Sequence, residues 1–190
     1  MRMRSETNEE ALMEAYVAGD AGAFERLFRS LAPSVHGFFV RSVGNGAVAE
    51  DLLQTTFLKL HGARGSWRRG EPLRPWVFTI AGRVRIDWLR QQGREDHGSD
   101  AEELADPAAS PEGAEDAVLA GERAGRVKAA LDRLPEVQRV VVYLHRYEDL
   151  SFAEIGEVLG ISEGAAKLRA FRAYGQLRVA LADLVREDSP

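Results

Sequence analysis

The 190-residue chain contains no cysteine. That excludes disulfides, thiolate-bound zinc and cysteine nucleophiles. No apolar run approaches the ~20 residues needed to cross a bilayer. The opening stretch, MRMRSETNEEALMEAYV, turns acidic and helically periodic where a secretory signal needs an apolar core. A cytoplasmic protein without membrane insertion is therefore expected. Histidine is scarce: His36, His61, His97 and His145 are scattered and form no ligand spacing. No strand pattern is evident, and no glycine-rich phosphate loop follows a strand. These absences leave no catalytic residue, metal site or cofactor to nominate, and an enzyme is not expected.

What is present is helix-forming sequence with an uneven distribution of charge. The net charge is −5. Residues 1–94 carry 14 Lys/Arg and 10 Asp/Glu, whereas 95–117 carry 9 acidic residues and no Lys or Arg. Residues 118–190 carry 11 of each sign. The acidity therefore belongs to one short segment. That segment contains Gly98, Pro107, Pro111 and Gly113 and has little to bury, so it reads as a flexible linker. The chain is then all-α, with two small helical domains at 9–94 and 118–185.

The most informative stretch is 150–178, LSFAEIGEVLGISEGAAKLRAFRAYGQLR. Ser151 followed by Glu154 is a capping box, which starts a helix by satisfying amides at both ends of the pair. Ile155, Val158 and Leu159 recur on one face. Gly156 is small where a second helix must cross, Gly160 stops the first helix, and Ile161 plugs the angle. Ser162 caps the second helix, with Glu163 near the positive end of its dipole. Ala166, Ala170, Ala173 and Leu177 form its buried seam, while Lys167, Arg169, Arg172 and Arg178 are its basic residues. That helix suits the major groove of DNA. The plainer alternative is a helical hairpin with merely solvated charges, which would not need this succession of caps, small residue and plug.

Earlier in the chain, 9–43 is helical in pattern, interrupted at Gly19-Asp20, with Pro33 placed to open a further helix. Gly44-Asn45-Gly46 is a turn. A helix is expected over 47–61, with Leu52, Leu53, Phe57, Leu58 and Leu60 on its apolar side and Asp51 and Gln54 among its polar positions. Residues 62–75, GARGSWRRGEPLRP, form a loop in which Trp67 sits among Arg64, Arg68, Arg69 and Arg74. A ring among guanidinium groups can stack an unpaired base, or it can fold onto the domain. A helix follows over 76–92, opened by Trp76 as a core residue. Between 64 and 94 lie 8 arginines against Glu71 and Asp87, the most basic tract in the chain. After the linker, helix resumes over 118–134, and Pro135 opens the helix before the capping box.

Three of these blocks together resemble the bacterial extracytoplasmic-function sigma factors, the small two-domain group of the sigma-70 family of RNA polymerase specificity subunits. AEDLLQTTFLKLH (49–61) is similar to their clamp-docking helix, PWVFTIAGRVRIDWLR (75–90) to their promoter-melting segment, and 134–178 to their −35-reading domain. The resemblance implies a partner in core RNA polymerase, at clamp and flap, another in promoter DNA, and an anti-sigma factor. It implies that Asp51 and Gln54 meet the clamp. It implies that the 64–74 loop, with Arg64, Trp67, Arg68, Arg69 and Arg74, holds a flipped base of the −10 element. Arg83, Asp87, Trp88 and Arg90 would lie along that strand. Ser162, Glu163, Lys167, Leu168, Arg169, Phe171 and Arg172 would meet the −35 major groove. Thr55, Gly82-Arg83 and Leu168 depart from the family's usual Glu, Arg-Asn and Ser. The competing reading is a helix-turn-helix regulator that works without the clamp contact.

Overall fold

The computed structural model describes residues 6–95 and 116–182, with side chains over 9–92 and 123–182. Most of the segment expected as a linker lies outside the described residues. Among the described residues the chain is helical throughout: α1 (Glu6–Val17), α2 (Ala21–Val43), α3 (Gly46–Ala63), a 3-10 turn (Arg64–Ser66), α4 (Leu73–Glu95), α5 (Asp116–Asp132), α6 (Glu136–Arg146), α7 (Phe152–Leu159) and α8 (Glu163–Ala180).

The helix boundaries follow from local chemistry. Asp20 caps α2 by accepting the Ala23 amide at 3.1 Å. Gly44 ends that helix in the left-handed region, at φ 69°. The Asn45 carboxamide accepts the Ala47 and Val48 amides at the start of α3. One expectation fails here. Pro33 does not open a new helix but lies inside a single helix running from Ala21 to Val43. The proline removes only one amide bond, on an exposed face. Leu27, Leu31, Val35, Phe38 and Phe39 bury a continuous stripe on the other side, and that packing carries the helix past the break. Pro135 stands one residue ahead of α6, as its N-cap.

Helices α1 to α4 form one bundle. Met13 and Tyr16 of α1, Phe38 and Phe39 of α2, Leu53, Phe57 and Leu60 of α3 and Val77 and Phe78 of α4 meet in its centre. Phe28 packs edge-on to Phe57 with centroids 4.6 Å apart. The hydroxyl of Tyr16 and the ring of His61 share a short hydrogen bond that ties α1 to α3.

The two helical units are not separate. α6 packs on α2, and α7 packs along α4. Residues from both sides, including Val140, Val141, Leu144, Ile155 and Val158, belong to one continuous core. α6 explains how. Five consecutive residues, Val140 to Leu144, are buried. Val142 joins Leu134 and Ala173 in a small second core within the C-terminal unit, while Val140, Val141, Tyr143 and Leu144 face the N-terminal bundle. A helix apolar on so much of its circumference must be covered on more than one side.

Polar groups fix the boundary. The Tyr143 hydroxyl donates to the Ser34 carbonyl at 2.8 Å, and the Arg41 guanidinium lies 4.4 Å above the Tyr143 ring. Burial first, then the neighbouring Glu148 carboxylate, holds that phenol well above its ordinary pKa. Arg74 of α4 is the central tie. It donates to Glu9 of α1 through Nε and Nη2 at 2.8 and 2.7 Å, and to Glu148 through Nη1 at 2.5 Å. Burial opposes its charge, but the two carboxylates outweigh burial and raise its pKa above the usual arginine value. Removing it leaves two carboxylates buried without their cation. Arg74→Ala is therefore expected to cost ~3–5 kcal/mol of stability. Arg69→Ala, which breaks an ion pair whose arginine is 82% exposed, should cost less than ~1 kcal/mol. Equilibrium urea denaturation of the two variants tests the contrast, and equal losses would refute it.

Candidate nucleic-acid and polymerase interfaces

Helices α7 and α8 form the turn motif as its sequence requires. Ser151 and Glu154 make both halves of the capping box. Gly160 adopts φ 67°, where a side chain is strained. A Cβ on Gly156 would lie 2.8 Å from the Ile161 carbonyl, so the turn folds back on α7 too closely for a side chain there. The Ser162 hydroxyl accepts the Ala165 amide at 3.2 Å and is thereby engaged as a cap. Ala166, Ala170 and Ala173 are buried. The opposite side is open: Lys167 and Arg172 are exposed, Leu168 is 48% exposed and Phe171 76%. Arg169 is half-buried. Glu163 pairs with Lys167 at 2.6 Å, so among the described residues this face presents one paired cation, the exposed Arg172 and two apolar side chains. Such a face can donate to base edges and press carbon against thymine methyls.

On α3, Asp51 and Gln54 are both exposed, and the Gln54 amide reaches Glu50 at 3.4 Å. Leu58 lies on the same face, four residues beyond Gln54, and is 74% exposed. Counting it with the apolar side of the helix was natural from composition. Its spacing of seven from Asp51 is the signal that places it with the polar pair instead. The exposed leucine beside a carboxylate and a carboxamide offers apolar surface edged by polar groups.

The arginine-rich loop is arranged from α1. Arg69 Nε donates to Glu14 at 2.9 Å, and the Leu73 amide that opens α4 donates to Glu10 at 3.1 Å. Arg68 is exposed beside Glu71, and Arg64 donates to the His61 carbonyl. Two nominated residues lie inside. Trp67 is only 7% exposed and packs in the core, with no partner for its indole nitrogen among the described residues. Arg74 is committed to Glu9 and Glu148. On α4, Arg83 and Arg90 are exposed, Trp88 is half-buried, and Asp87 is bridged to Lys59 of α3 at 3.1 Å. The arrangement thus gathers Arg64, Arg68 and Arg69 on the loop and Arg83 and Arg90 on the helix, and withdraws Trp67 and Arg74. Arg85, expected with Arg83 and Arg90 on the exposed basic side of this helix, is instead buried, and its guanidinium reaches across the unit boundary to Glu136 at 2.5 Å.

Two family models match the chain: sigma-70 region 2 over residues 27–95 and sigma-70 region 4 over 124–177. The RNA polymerase sigma factor CarQ of Myxococcus xanthus is 42% identical over 92% of this chain and 98% of its own length. The RNA polymerase sigma-H factor of Pseudomonas aeruginosa is 30% identical over 97% and 100%, and the ECF sigma factor SigF of Caulobacter vibrioides 34% identical over 91% and 93%. The chain is an extracytoplasmic-function sigma factor. Among solved structures, the sigma factor RpoE of Bartonella quintana, in complex with the anti-sigma factor NepR, superposes with a TM-score of 0.66 at 25% identity, covering 84% of this chain and 96% of that one. This sigma factor therefore directs RNA polymerase to promoters, and sigma factors are initiation factors rather than enzymes. The match to region 2 leaves the stand-alone regulator disfavoured. No helix among the described residues is long and apolar enough to cross a membrane.

The burial of Trp67 sets an expectation of its own. Trp67→Ala should destabilise the chain by ~3–5 kcal/mol through the cavity it leaves. Thermal denaturation without any DNA reads this directly. A loss under ~1 kcal/mol would return the ring to the surface and to base stacking.

Proposed function

We propose that the two units divide promoter recognition residue by residue, with 9–94 taking the polymerase and the −10 element, 118–185 taking the −35 element, and 95–117 joining them. Asp51, Gln54 and Leu58 dock on the polymerase clamp. Arg64, Arg68, Arg69, Arg83 and Arg90 follow the backbone of the −10 strand, where cations neutralise phosphates. Asp87 orients this set through Lys59, and Trp88 borders it. Trp67 and Arg74 contribute by holding the loop in shape. Arg172, Lys167 and Arg169 read the −35 major groove, and Leu168 and Phe171 add apolar contact with bases. Ser162 and Glu163 set the helix start that aims them.

The observation that carries this reading is the pairing, on one chain, of an exposed Asp51–Gln54–Leu58 face with an exposed Lys167–Leu168–Phe171–Arg172 face. The structural relative RpoE is described with a bound anti-sigma factor, NepR. A partner of that kind is proposed here too. Acting with polymerase at promoters would place the protein in the cytoplasm, at the nucleoid.

Two sets of variants separate the roles. Asp51→Ala with Gln54→Ala should weaken binding to core polymerase and leave the denaturation midpoint unchanged, since both side chains are exposed. Unchanged polymerase binding would contradict the clamp assignment. Arg172→Ala should cost ~1–3 kcal/mol in −35 duplex binding and relax preference at one base position. A uniform loss across all sequences would instead make Arg172 a phosphate contact.

A further inference from the structure

A leucine side chain has no donor and no acceptor, so on a surface that meets base edges it can read only carbon. Leu168 occupies such a place. The buried seam of α8 is Ala166, Ala170 and Ala173. Leu168 stands two residues from both Ala166 and Ala170, and at about 100° per residue it lies on the side opposite that seam. It is 48% exposed, and Phe171, one turn on, is 76% exposed. Lys167 and Arg172 flank this pair and are themselves exposed. Leu168 is also a position at which the chain departs from the family's usual Ser. An apolar pair bordered by cations fits a duplex groove, where phosphates meet the charges and base edges meet the carbon.

Leucine in place of serine changes what can be discriminated. A serine hydroxyl donates or accepts, so it can meet either kind of base pair. Leucine cannot. Pressed against the amino edge of cytosine, it strips water from a donor and returns no hydrogen bond. Against thymine it meets the C5-methyl group, the apolar group that the major groove displays. One contact therefore favours thymine and penalises cytosine. Side chains four apart on a helix have Cβ atoms about 5–6 Å from each other, and successive bases rise about 3.4 Å. Leu168 and Arg172 are four apart, so the bases they reach lie within roughly two steps of one another.

We propose that Leu168 is a thymine-reading residue: the −35 element of this sigma factor holds a thymine, within two steps of the base met by Arg172, and its C5-methyl group is recognised by the leucine side chain. The proposal rests on the assignment of α8 to the −35 major groove and deepens it by naming the group that is read. Burial of one methyl group is worth about fourfold in affinity. A protein partner seated on the same apolar pair would show no dependence on a single methyl group of DNA.

The test uses the full chain assembled with core polymerase. Selection from a duplex library randomised over the −35 region gives the preferred duplex. Each thymine in it is then replaced by uracil, which removes the methyl group and leaves pairing and the hydrogen-bonding edge intact. One replacement should weaken binding about fourfold for the unaltered chain and leave Leu168→Ala almost unaffected. Exchanging that T·A pair for C·G should cost more, and 5-methylcytosine at the same place should recover part of the loss. Selection with Leu168→Ser should lose the preference for thymine there and keep the base met by Arg172. Leu168 is exposed, and unchanged helical content verifies the fold of both variants. Uracil replacements without effect, or a penalty that persists in Leu168→Ala, overturn the proposal. A penalty that vanishes only in Phe171→Ala transfers the reading to the phenylalanine and overturns it too. So does a Leu168→Ala variant that keeps its base preference but binds core polymerase more weakly, since the leucine is then a protein contact. If no variant of Lys167, Leu168 or Arg172 alters any base preference, the assignment of α8 fails and the methyl reading with it. A preference that responds to Arg172→Ala but to no uracil replacement overturns the methyl reading alone.

Discussion

The guanidinium of Arg74 is shared by carboxylates from opposite ends of the chain, and the rest of the arrangement hangs from that point. A buried cation is tolerable only when its donors are met by anions. Glu9 supplies one from α1 and Glu148 the other from the turn between α6 and α7. Satisfying one side chain therefore fixes α1, α4 and the C-terminal unit relative to each other. Glu9 also accepts the Ser30 hydroxyl, so α2 joins the same network. The position of α4, on which the proposed −10 contacts lie, follows from this set of bonds together with its buried stripe of Leu73, Val77, Phe78, Ala81 and Val84.

The same dependence explains what could be read in advance. The turn motif was legible because each of its signals is local. A serine and a glutamate three apart at the head of an apolar run cap a helix through their own neighbours, and Gly160 needs no distant partner to adopt its conformation. The all-helical class, the N-cap at Ser162 and the alanine seam followed for the same reason. Pro33 was misread because its effect depends on five buried side chains that compensate for it, and those belong to other helices' packing. Trp67 was open to two readings, since a ring between arginines carries no local mark of which way it faces. Ala11 and Ala15 of α1 and Ala18 just beyond it line one cavity with Trp67, and they lie far away in sequence.

The association of the two units was written in the sequence in a less direct way. VVVYL in α6 buries five residues in a row, which an isolated helix-turn-helix domain covered on one side would not require. Helical periodicity asks which face is apolar, and here the answer was more than one face. The glycines gave the complementary signal. Gly37 and Gly82 sit mid-helix, where neither turn nor cap needs them, so a close neighbour had to be sought. Neither signal names its partner, and that is why composition alone led to two bodies on a tether.

Packing and the proposed function meet in what the boundary between the units leaves uncovered. The Asp51–Gln54–Leu58 face and the Lys167–Phe171–Arg172 face are both exposed while the units are packed. The contacts proposed for α3 with polymerase and for α8 with the −35 duplex therefore need no break in the boundary. The ion pairs of Arg85 and Arg74 with the C-terminal unit use neither face, so the contacts that hold the units together and the surfaces they leave open are supplied by different residues.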